Sequence, residues 1–218
     1  MIAADWPPAP SAEVRILALG DSYTIGEGVR PDERWPVRLA AALRARGSST
    51  ARIAEPMIIA RTGWTTDELS RGIDEAAPRG GFDIVTLLVG VNDQYRGRSS
   101  RDYRERFRAL LQRAVGFAGR RAASVVVISI PDWGVTPFAA GRDRTRIASE
   151  IDAFNAINKA EAQSAGARYV DITGISRRAA TDRSLLASDG LHPSASMYDD
   201  WVRVLVPVVD AALAQRRG

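Results

Sequence analysis

Five short, largely apolar runs are spaced along the chain, and their residues do not alternate between apolar and polar. Runs of this kind are typical of strands buried on both faces of a parallel sheet. One of them contains Pro56, which favours an edge strand or a bulge, because proline cannot donate a hydrogen bond to a neighbouring strand. The predicted strands span residues 14–19, 53–60, 83–89, 124–130 and 168–172.

Between the predicted strands, apolar residues recur every three or four positions, which is the spacing of one face of an α-helix. The first such helix is predicted over residues 35–46. Residues 131–141 and 173–191 lack clear periodicity and are predicted to be irregular. Two further helices are indicated by the apolar series Tyr103, Phe107, Leu110, Leu111 and Val115, and by Ile147, Ile151, Phe154 and Ile157.

Capping patterns indicate where two other helices begin. Thr65 precedes Glu68 by three residues, the spacing of a capping box, and predicts a helix through about residue 75. Ser196 and Asp199 have the same spacing and predict the start of the last helix. Pro207 is expected to kink or break that helix, because its ring clashes with the preceding turn.

Strands that alternate with helices predict an α/β protein with an open parallel sheet and helices on both faces. The chain has 218 residues, of which 45% are hydrophobic, enough for one well-buried core and short for two. No internal repeat, low-complexity tract or linker is evident. We therefore expect a single domain over residues 1–218, with the proline-rich residues 1–12 as an extended lead-in.

Polar or glycine residues follow the first three predicted strands. Ser22, Gly63 and Asn92 each lie in the loop after a strand, and such loops meet at the carboxyl edge of a parallel sheet, where ligands bind. A later loop carries Asp189 and His192. We expect this loop to close over the same edge.

Composition excludes several kinds of site. The chain has no cysteine and one histidine, so thiolate chemistry and multi-histidine zinc sites are excluded, and we expect no metal and no cofactor. The net charge of +4 comes from 30 basic residues dispersed among 26 acidic ones, a pattern typical of ion-paired surfaces. Arg96, Arg98 and Arg101 are expected to face solvent. We therefore expect no nucleic-acid partner.

No apolar run is long enough to span a bilayer, so we expect no membrane span. Residues 1–11 have neither a basic n-region nor an apolar h-region, and a cytoplasmic location is the corresponding expectation.

The candidate chemistry is that of an activated serine. A hydroxyl needs a base to remove its proton, and His192 is the side chain with a suitable ordinary pKa. Asp189, three residues earlier, can hold the imidazole in one tautomer. The N–H groups of Ser22 and Gly63 and the Asn92 carboxamide can donate hydrogen bonds to the oxyanion that forms during attack on an ester.

Four ordered blocks resemble one known family: Gly20-Asp21-Ser22, Gly63, Gly90-Val91-Asn92-Asp93 and Asp189-Gly190-Leu191-His192-Pro193. They resemble those of the SGNH hydrolases, also called GDSL esterases and lipases. The resemblance implies a flavodoxin-like, three-layer α/β/α fold. It also implies a catalytic triad of Ser22, Asp189 and His192, and an oxyanion hole that includes Gly63 and Asn92. Tyr23 departs from the family motif, which has leucine there.

The function we expect is that of a serine esterase acting on a small-molecule or sugar ester, with a short acyl group. Trp64, Trp133 and Phe138 are expected to be partly buried core residues, and because they lie in predicted loops they are also candidates for the substrate pocket. The same triad would serve a carbohydrate deacetylase, a thioesterase or an acyltransferase. A catalytically silent binding module on the same fold is the alternative from another class.

Overall fold

The computed structural model describes residues 13–47 and 52–216, and the predicted lead-in 1–12 lies outside them. Seven strands are present in the described residues: β1 Glu13–Val14, β2 Ile16–Gly20, β3 Arg52–Ile53, β4 Met57–Ala60, β5 Ile84–Leu88, β6 Val125–Ile128 and β7 Arg168–Val170. Five of them form one parallel sheet in the order β4-β2-β5-β6-β7. Numbered along the chain, this order is 2-1-3-4-5, that of flavodoxin-like folds.

The three inner strands explain the apolar runs. Every residue of β2, β5 and β6 is buried, whereas the edge strands β4 and β7 each contain partly exposed positions. A strand covered by helices on both faces has no solvent side, so its residues need not alternate. The predicted α/β fold with a parallel sheet of about five strands is confirmed.

Helices cover the two faces of the sheet. The described helices are α1 Ser22–Ile25, α2 Trp35–Ala45, α3 Thr66–Ala76, α4 Val91–Tyr95, α5 Ser100–Phe117, α6 Arg144–Ala165, α7 Thr173–Arg177 and α8 Ala195–Ala214. Helices α2 and α8 pack against each other, and α5 packs against both α3 and α6. Right-handed crossovers produce this grouping. The connection from β2 to β4 runs along the sheet in the opposite direction to the later connections, so its helix, α2, lies on the opposite face of the sheet from theirs. None of the helices in these residues has the length and hydropathy needed to cross a membrane.

The segment predicted as one strand over 53–60 is divided at Pro56. Its first part, β3, pairs with β1 in a separate two-stranded parallel sheet, and its second part, β4, lies at the edge of the main sheet. The edge position inferred from Pro56 is therefore confirmed.

The start of α3 agrees with its capping pattern, but the start of α8 does not. The Thr65 N–H donates to Glu68 Oε2 at 2.8 Å, and the helix begins at the next residue. The predicted cap at Ser196 is wrong, because Ser194 has the extended conformation of an N-cap and accepts from the Met197 N–H. Ser196 instead contacts the Ser194 hydroxyl at 2.8 Å.

Pro207 does not end the last helix, which continues without interruption from Ala195 to Ala214. A proline at this position leaves the carbonyl of Arg203, four residues earlier, without its helical donor. Both residues lie on the exposed side of α8, where water can serve as the donor.

Candidate active site

The ends of three neighbouring strands lie level with one another. Gly20, the last residue of β2, is in register with Ala60 of β4 and with Leu88 of β5. Each strand runs directly into a loop or short helix that carries one of the predicted polar or glycine residues. Because β2 lies between the other two strands, these three loops meet at one point on the carboxyl edge of the sheet.

A cavity of about 180 Å³ opens at this point. Ser22, Gly63, Asn92 and His192 all line it, although they come from four separate segments of the chain. The rest of its wall is mainly apolar and aromatic, and includes Tyr23, Val91, Tyr95, Trp133, Phe138 and Leu191. A small apolar cavity with a few convergent polar groups is the usual form of a small-molecule site.

Ser22 is the first residue of α1, and a tight turn holds it there. The Tyr23 N–H donates to Asp21 Oδ1 at 3.1 Å, so Asp21 caps the short helix. The Thr24 and Ile25 N–H groups donate to the Asp21 carbonyl. The Ser22 N–H belongs to the first turn, where helical amides lack intrahelical acceptors. Ser22 itself is buried and lines the cavity.

Asp21 is unusual because its carboxyl group is fully buried. Burial raises its pKa to about 8, and the nearby charge of Asp93 acts in the same direction. Its Oδ2 atom has no hydrogen-bond partner among the described residues. The carboxyl group is therefore mostly protonated at neutral pH.

His192 and Asp189 are joined within one turn. His192 Nδ1 lies 2.6 Å from Asp189 Oδ2, while Asp189 Oδ1 accepts from the N–H groups of Leu191 and His192 at 2.9 and 3.0 Å. Partial burial acts to raise the pKa of Asp189, but the hydrogen bonds from His192 and Leu191 outweigh it and lower the pKa. The carboxylate stays ionised beside the imidazole.

Two neighbours fix this pair against the rest of the site. The Tyr23 ring meets the His192 ring edge-on, with centroids 5.7 Å apart. Gly28 packs against the loop that carries Asp189, and a Cβ at Gly28 would lie only 2.7 Å from the Ala187 Cβ. No hydrogen bond between Ser22 and His192 occurs in the described structure.

Gly63 has a backbone conformation that requires glycine. Its φ of +84° lies in the left-handed region, which favours glycine. There is space for a side chain, because a Cβ at Gly63 would have only Arg96 Nη2 within 4 Å, at 3.9 Å. Glycine is therefore favoured here by its φ angle rather than by crowding around a Cβ. The Gly63 carbonyl accepts from Arg96 Nη2 at 2.7 Å, and its N–H has no acceptor among the described residues.

Asn92 lies in α4, and one of the two N–H groups of its side-chain carboxamide is hydrogen-bonded. Its Nδ2 donates to the Trp64 carbonyl at 2.9 Å, which fixes the carboxamide and leaves a second N–H available. The following residue, Asp93, is fully buried and accepts from the Thr66 N–H and hydroxyl at 2.9 and 2.7 Å. These bonds tie the loop after β5 to the start of α3.

Trp64 packs against the core, as expected, and does not line the cavity, so the alternative that places it in the substrate pocket is wrong. Its ring packs over Gly72 of α3, where a Cβ would lie 2.0 Å from Trp64 Cη2. The missing side chain at Gly72 creates the space that the indole fills, and only the Trp64 carbonyl contacts a residue of the site.

Arg96 faces solvent, as expected, with 51% of its side chain exposed, whereas the side chain of Arg98 is only 22% exposed, contrary to the expectation. Arg96 holds the Gly63 carbonyl and pairs with Glu68 at 3.2 Å, and Arg98 Nε lies 2.7 Å from Asp93 Oδ1. Arg101, by contrast, has a side chain that is 88% exposed, as expected.

Trp133 and Phe138 do line the cavity, together with Tyr95, which the sequence reasoning missed. The ring centroids of Tyr95 lie 5.4 Å from Trp133 and 6.2 Å from Phe138. Tyr95 follows Asn92 by three residues, so one turn of α4 presents both to the same side. The three-residue spacing from Asn92 could have identified Tyr95 as a site residue only if α4 were known to be helical, and nothing in the sequence indicates that it is.

Comparison with known proteins identifies the family of the chain. The model of the GDSL-like Lipase/Acylhydrolase family matches residues 18–199, which is most of the chain. No protein of curated function matches the sequence.

Solved structures with the same fold include three hydrolases. The lipase/acylhydrolase from Enterococcus faecalis has 21% identity and a TM-score of 0.65, over 91% of this chain and 96% of that chain. The psychrotrophic esterase EstA from Pseudoalteromonas sp. has 18% identity and a TM-score of 0.64, over 88% and 96%. A variant of an acetyl xylan esterase from Geobacillus stearothermophilus has 17% identity and a TM-score of 0.62, over 90% and 94%. The chain belongs to the GDSL-like lipase/acylhydrolase family of enzymes that act on ester bonds.

Proposed function

We propose that the protein is a serine esterase that hydrolyses carboxylic esters through an acyl-enzyme on Ser22. One observation carries this proposal: His192, the chain's only histidine, lines the same cavity as Ser22 and has its Nδ1 atom 2.6 Å from Asp189 Oδ2. A hydroxyl beside a base that is oriented by a carboxylate is the arrangement that activates a serine nucleophile.

The ionised Asp189 accepts a hydrogen bond from the Nδ1–H of His192, and this tautomer leaves Nε2 free to accept the Ser22 proton. As Ser22 Oγ attacks the ester carbon, the proton moves to Nε2, and Asp189 stabilises the imidazolium. The same proton then passes to the departing alcohol, and the acyl group remains on Ser22. Water repeats the sequence with His192 as base and releases the acid.

The oxyanion is stabilised by three donors in this mechanism: the N–H groups of Ser22 and Gly63, and the second Nδ2 hydrogen of Asn92. Each has another contact that holds it in place. Asp21 caps the helix of Ser22, Arg96 binds the Gly63 carbonyl, and Trp64 accepts from Asn92. Donors fixed before the reaction do not have to reorganise as charge develops on the oxygen.

The size of the cavity supports a short acyl group. At about 180 Å³, it is smaller than the roughly 300–1,000 Å³ typical of sites for drug-sized ligands. Its aromatic wall, formed by Tyr95, Trp133 and Phe138, limits the length of an acyl chain while providing apolar contact.

A fluorophosphonate probe tests the proposal directly, since it labels serines that are activated as nucleophiles. We expect the folded wild type to be labelled, and Ser22→Ala to retain its circular dichroism spectrum without labelling. Ser164→Ala is a suitable control, because Ser164 is an exposed serine of α6 that does not line the cavity. Absence of labelling in the folded wild type would refute the esterase assignment. A series of p-nitrophenyl esters should show kcat/KM falling as the acyl chain lengthens.

A further inference from the structure

A second cavity, of about 580 Å³, lies next to the active-site cavity. The two cavities share Tyr95 and Trp133 in their walls. The second cavity is far more polar than the first, and its lining includes Gln94, Arg98, Arg142, Asp143, Arg146 and Glu150. The proposed ester hydrolysis gives this second cavity no role.

The wall between the two cavities is held by a chain of hydrogen bonds. Trp133 Nε1 donates to Gln94 Oε1 at 2.8 Å, Gln94 Nε2 donates to Glu150 Oε2 at 2.7 Å, and Arg146 Nε donates to Glu150 Oε1 at 2.7 Å. The bonds from Arg146 and Gln94 lower the pKa of Glu150, so its carboxylate is ionised and fully engaged. The shared wall is therefore ordered before any ligand binds.

Most charges in the second cavity are already paired. Asp143 caps α6 by accepting from the Arg146 N–H at 2.9 Å, and Arg146 itself pairs with Glu150. Arg98 lies 2.7 Å from Asp93 Oδ1. Of the three arginines that line the cavity, Arg142 alone has no carboxylate within ion-pair distance in the part of the chain that the structure describes.

Arg142 is nevertheless held in one place. Its Cζ atom lies 4.9, 5.4 and 5.8 Å from the ring centroids of Tyr95, Trp133 and Phe138, and its Nη2 donates to the Tyr95 hydroxyl at 2.9 Å. A guanidinium that stacks on aromatic rings uses its faces, so the N–H donors on its edges remain available to a carboxylate or a phosphate. Because stacking already restricts the side chain, less entropy is lost when an anion binds.

We propose that Arg142 binds an anionic group of the ester substrate, a carboxylate or a phosphate, in the second cavity, and that the enzyme therefore prefers anionic esters. This inference rests on the proposed esterase function. The three rings beneath Arg142 also line the cavity of Ser22 and His192, so the guanidinium borders the same aromatic wall that an ester bound at Ser22 contacts.

Matched pairs of esters test the inference and distinguish the two sides of the ester from which the anion could come. The acyl arm compares mono-p-nitrophenyl adipate with its primary amide. The alcohol arm compares 4-acetoxybenzoate with 4-acetoxybenzamide. In each arm the measured quantity is the ratio of kcat/KM for the anionic ester to that for the neutral ester, determined for the wild type, Arg142→Gln and Arg101→Gln.

We expect Arg142→Gln to lower this ratio roughly tenfold or more in one arm, the effect of losing a hydrogen bond between charged groups. Arg101→Gln removes the same charge from the exposed face of α5, and should change the ratio less than about twofold, since surface charges are screened. An unchanged ratio in both arms, with the wild type active on the neutral esters, would overturn the role of Arg142. A wild type inactive on all four esters would instead overturn the esterase proposal, and this inference with it.

Discussion

The buried carboxyl group of Asp21 should make the stability of the protein fall as the pH rises. Burial raises its pKa from 3.8 to about 8, and the hydrogen bond from the Tyr23 N–H offsets this only in part. In the unfolded chain the carboxyl group has its ordinary pKa, so between about pH 4 and pH 8 the folded state binds more protons than the unfolded state. Linkage then requires the free energy of unfolding to decrease with pH across this window.

The magnitude follows from the size of the window. One group that is protonated in the folded state and ionised in the unfolded state contributes about 1.36 kcal/mol per pH unit, or about 2.7 kcal/mol between pH 5 and pH 7. Burial also raises the pKa of Asp93, which adds a slope of the same sign. Asp21→Asn isolates the first contribution, because asparagine is neutral, has the same shape, and keeps an acceptor for the Tyr23 N–H.

The assay is urea unfolding of the wild type and Asp21→Asn at pH 5, 6, 7 and 8. We expect the variant to gain stability relative to the wild type by about 2.7 kcal/mol between pH 5 and pH 7. Asp32→Asn is the control, since Asp32 is exposed and the hydrogen bond from Arg30 lowers its pKa, so its titration is complete below pH 5. A difference between the wild type and Asp21→Asn that is constant with pH would refute the reasoning.

Three further substitutions test other parts of the structure. Asn92→Ala should lower kcat about a hundredfold to a thousandfold through loss of an oxyanion donor, measured on a short aryl ester, and an unchanged kcat would exclude that role. Gly72→Ala should destabilise the protein by about 1–3 kcal/mol in urea unfolding, because its Cβ overlaps the Trp64 ring, and Gly72→Ala combined with Trp64→Leu should recover part of that loss. Pro207→Ala should stabilise the protein by up to about 3 kcal/mol, since it restores the hydrogen bond to the Arg203 carbonyl, and no gain would mean that α8 bends to accommodate the proline.

The strands and the residues that follow them could be predicted because both depend on local signals and on general topology. Apolar runs mark β2 and β5, and parallel strands bring their carboxyl ends together whatever the loops contain. That is why Ser22, Gly63 and Asn92, separated by many residues in the chain, could be placed at one edge of the sheet before the structure was known. The spacing of Asp189 and His192 is likewise a local property.

The direction of side chains in the loops could not be predicted in the same way. Trp64 and Trp133 both lie in segments without periodicity, yet one ring packs over Gly72 and the other lines the cavity. The Trp64 ring packs on the helix that follows it, whereas the Trp133 ring is held by Gln94, which is 39 residues away in the chain. The burial of Asp21 is of the same kind, because a charged residue in a loop is ordinarily expected to be exposed.

The two parts of the site are positioned in different ways, so we expect substitutions in them to have different effects on stability. Ser22, Gly63 and Asn92 are positioned by the register of β4, β2 and β5, so an altered register would disrupt the core as well as the chemistry. The aromatic wall and Arg142 instead come largely from the irregular segment between β6 and α6. This segment is not paired with any of the described strands of the sheet. Substitutions at Phe138 and Arg142, whose side chains are exposed, should thus alter which esters bind while the sheet keeps its stability. A loss of folding stability comparable to that of core variants, measured by urea unfolding of Phe138→Ala, would contradict this division.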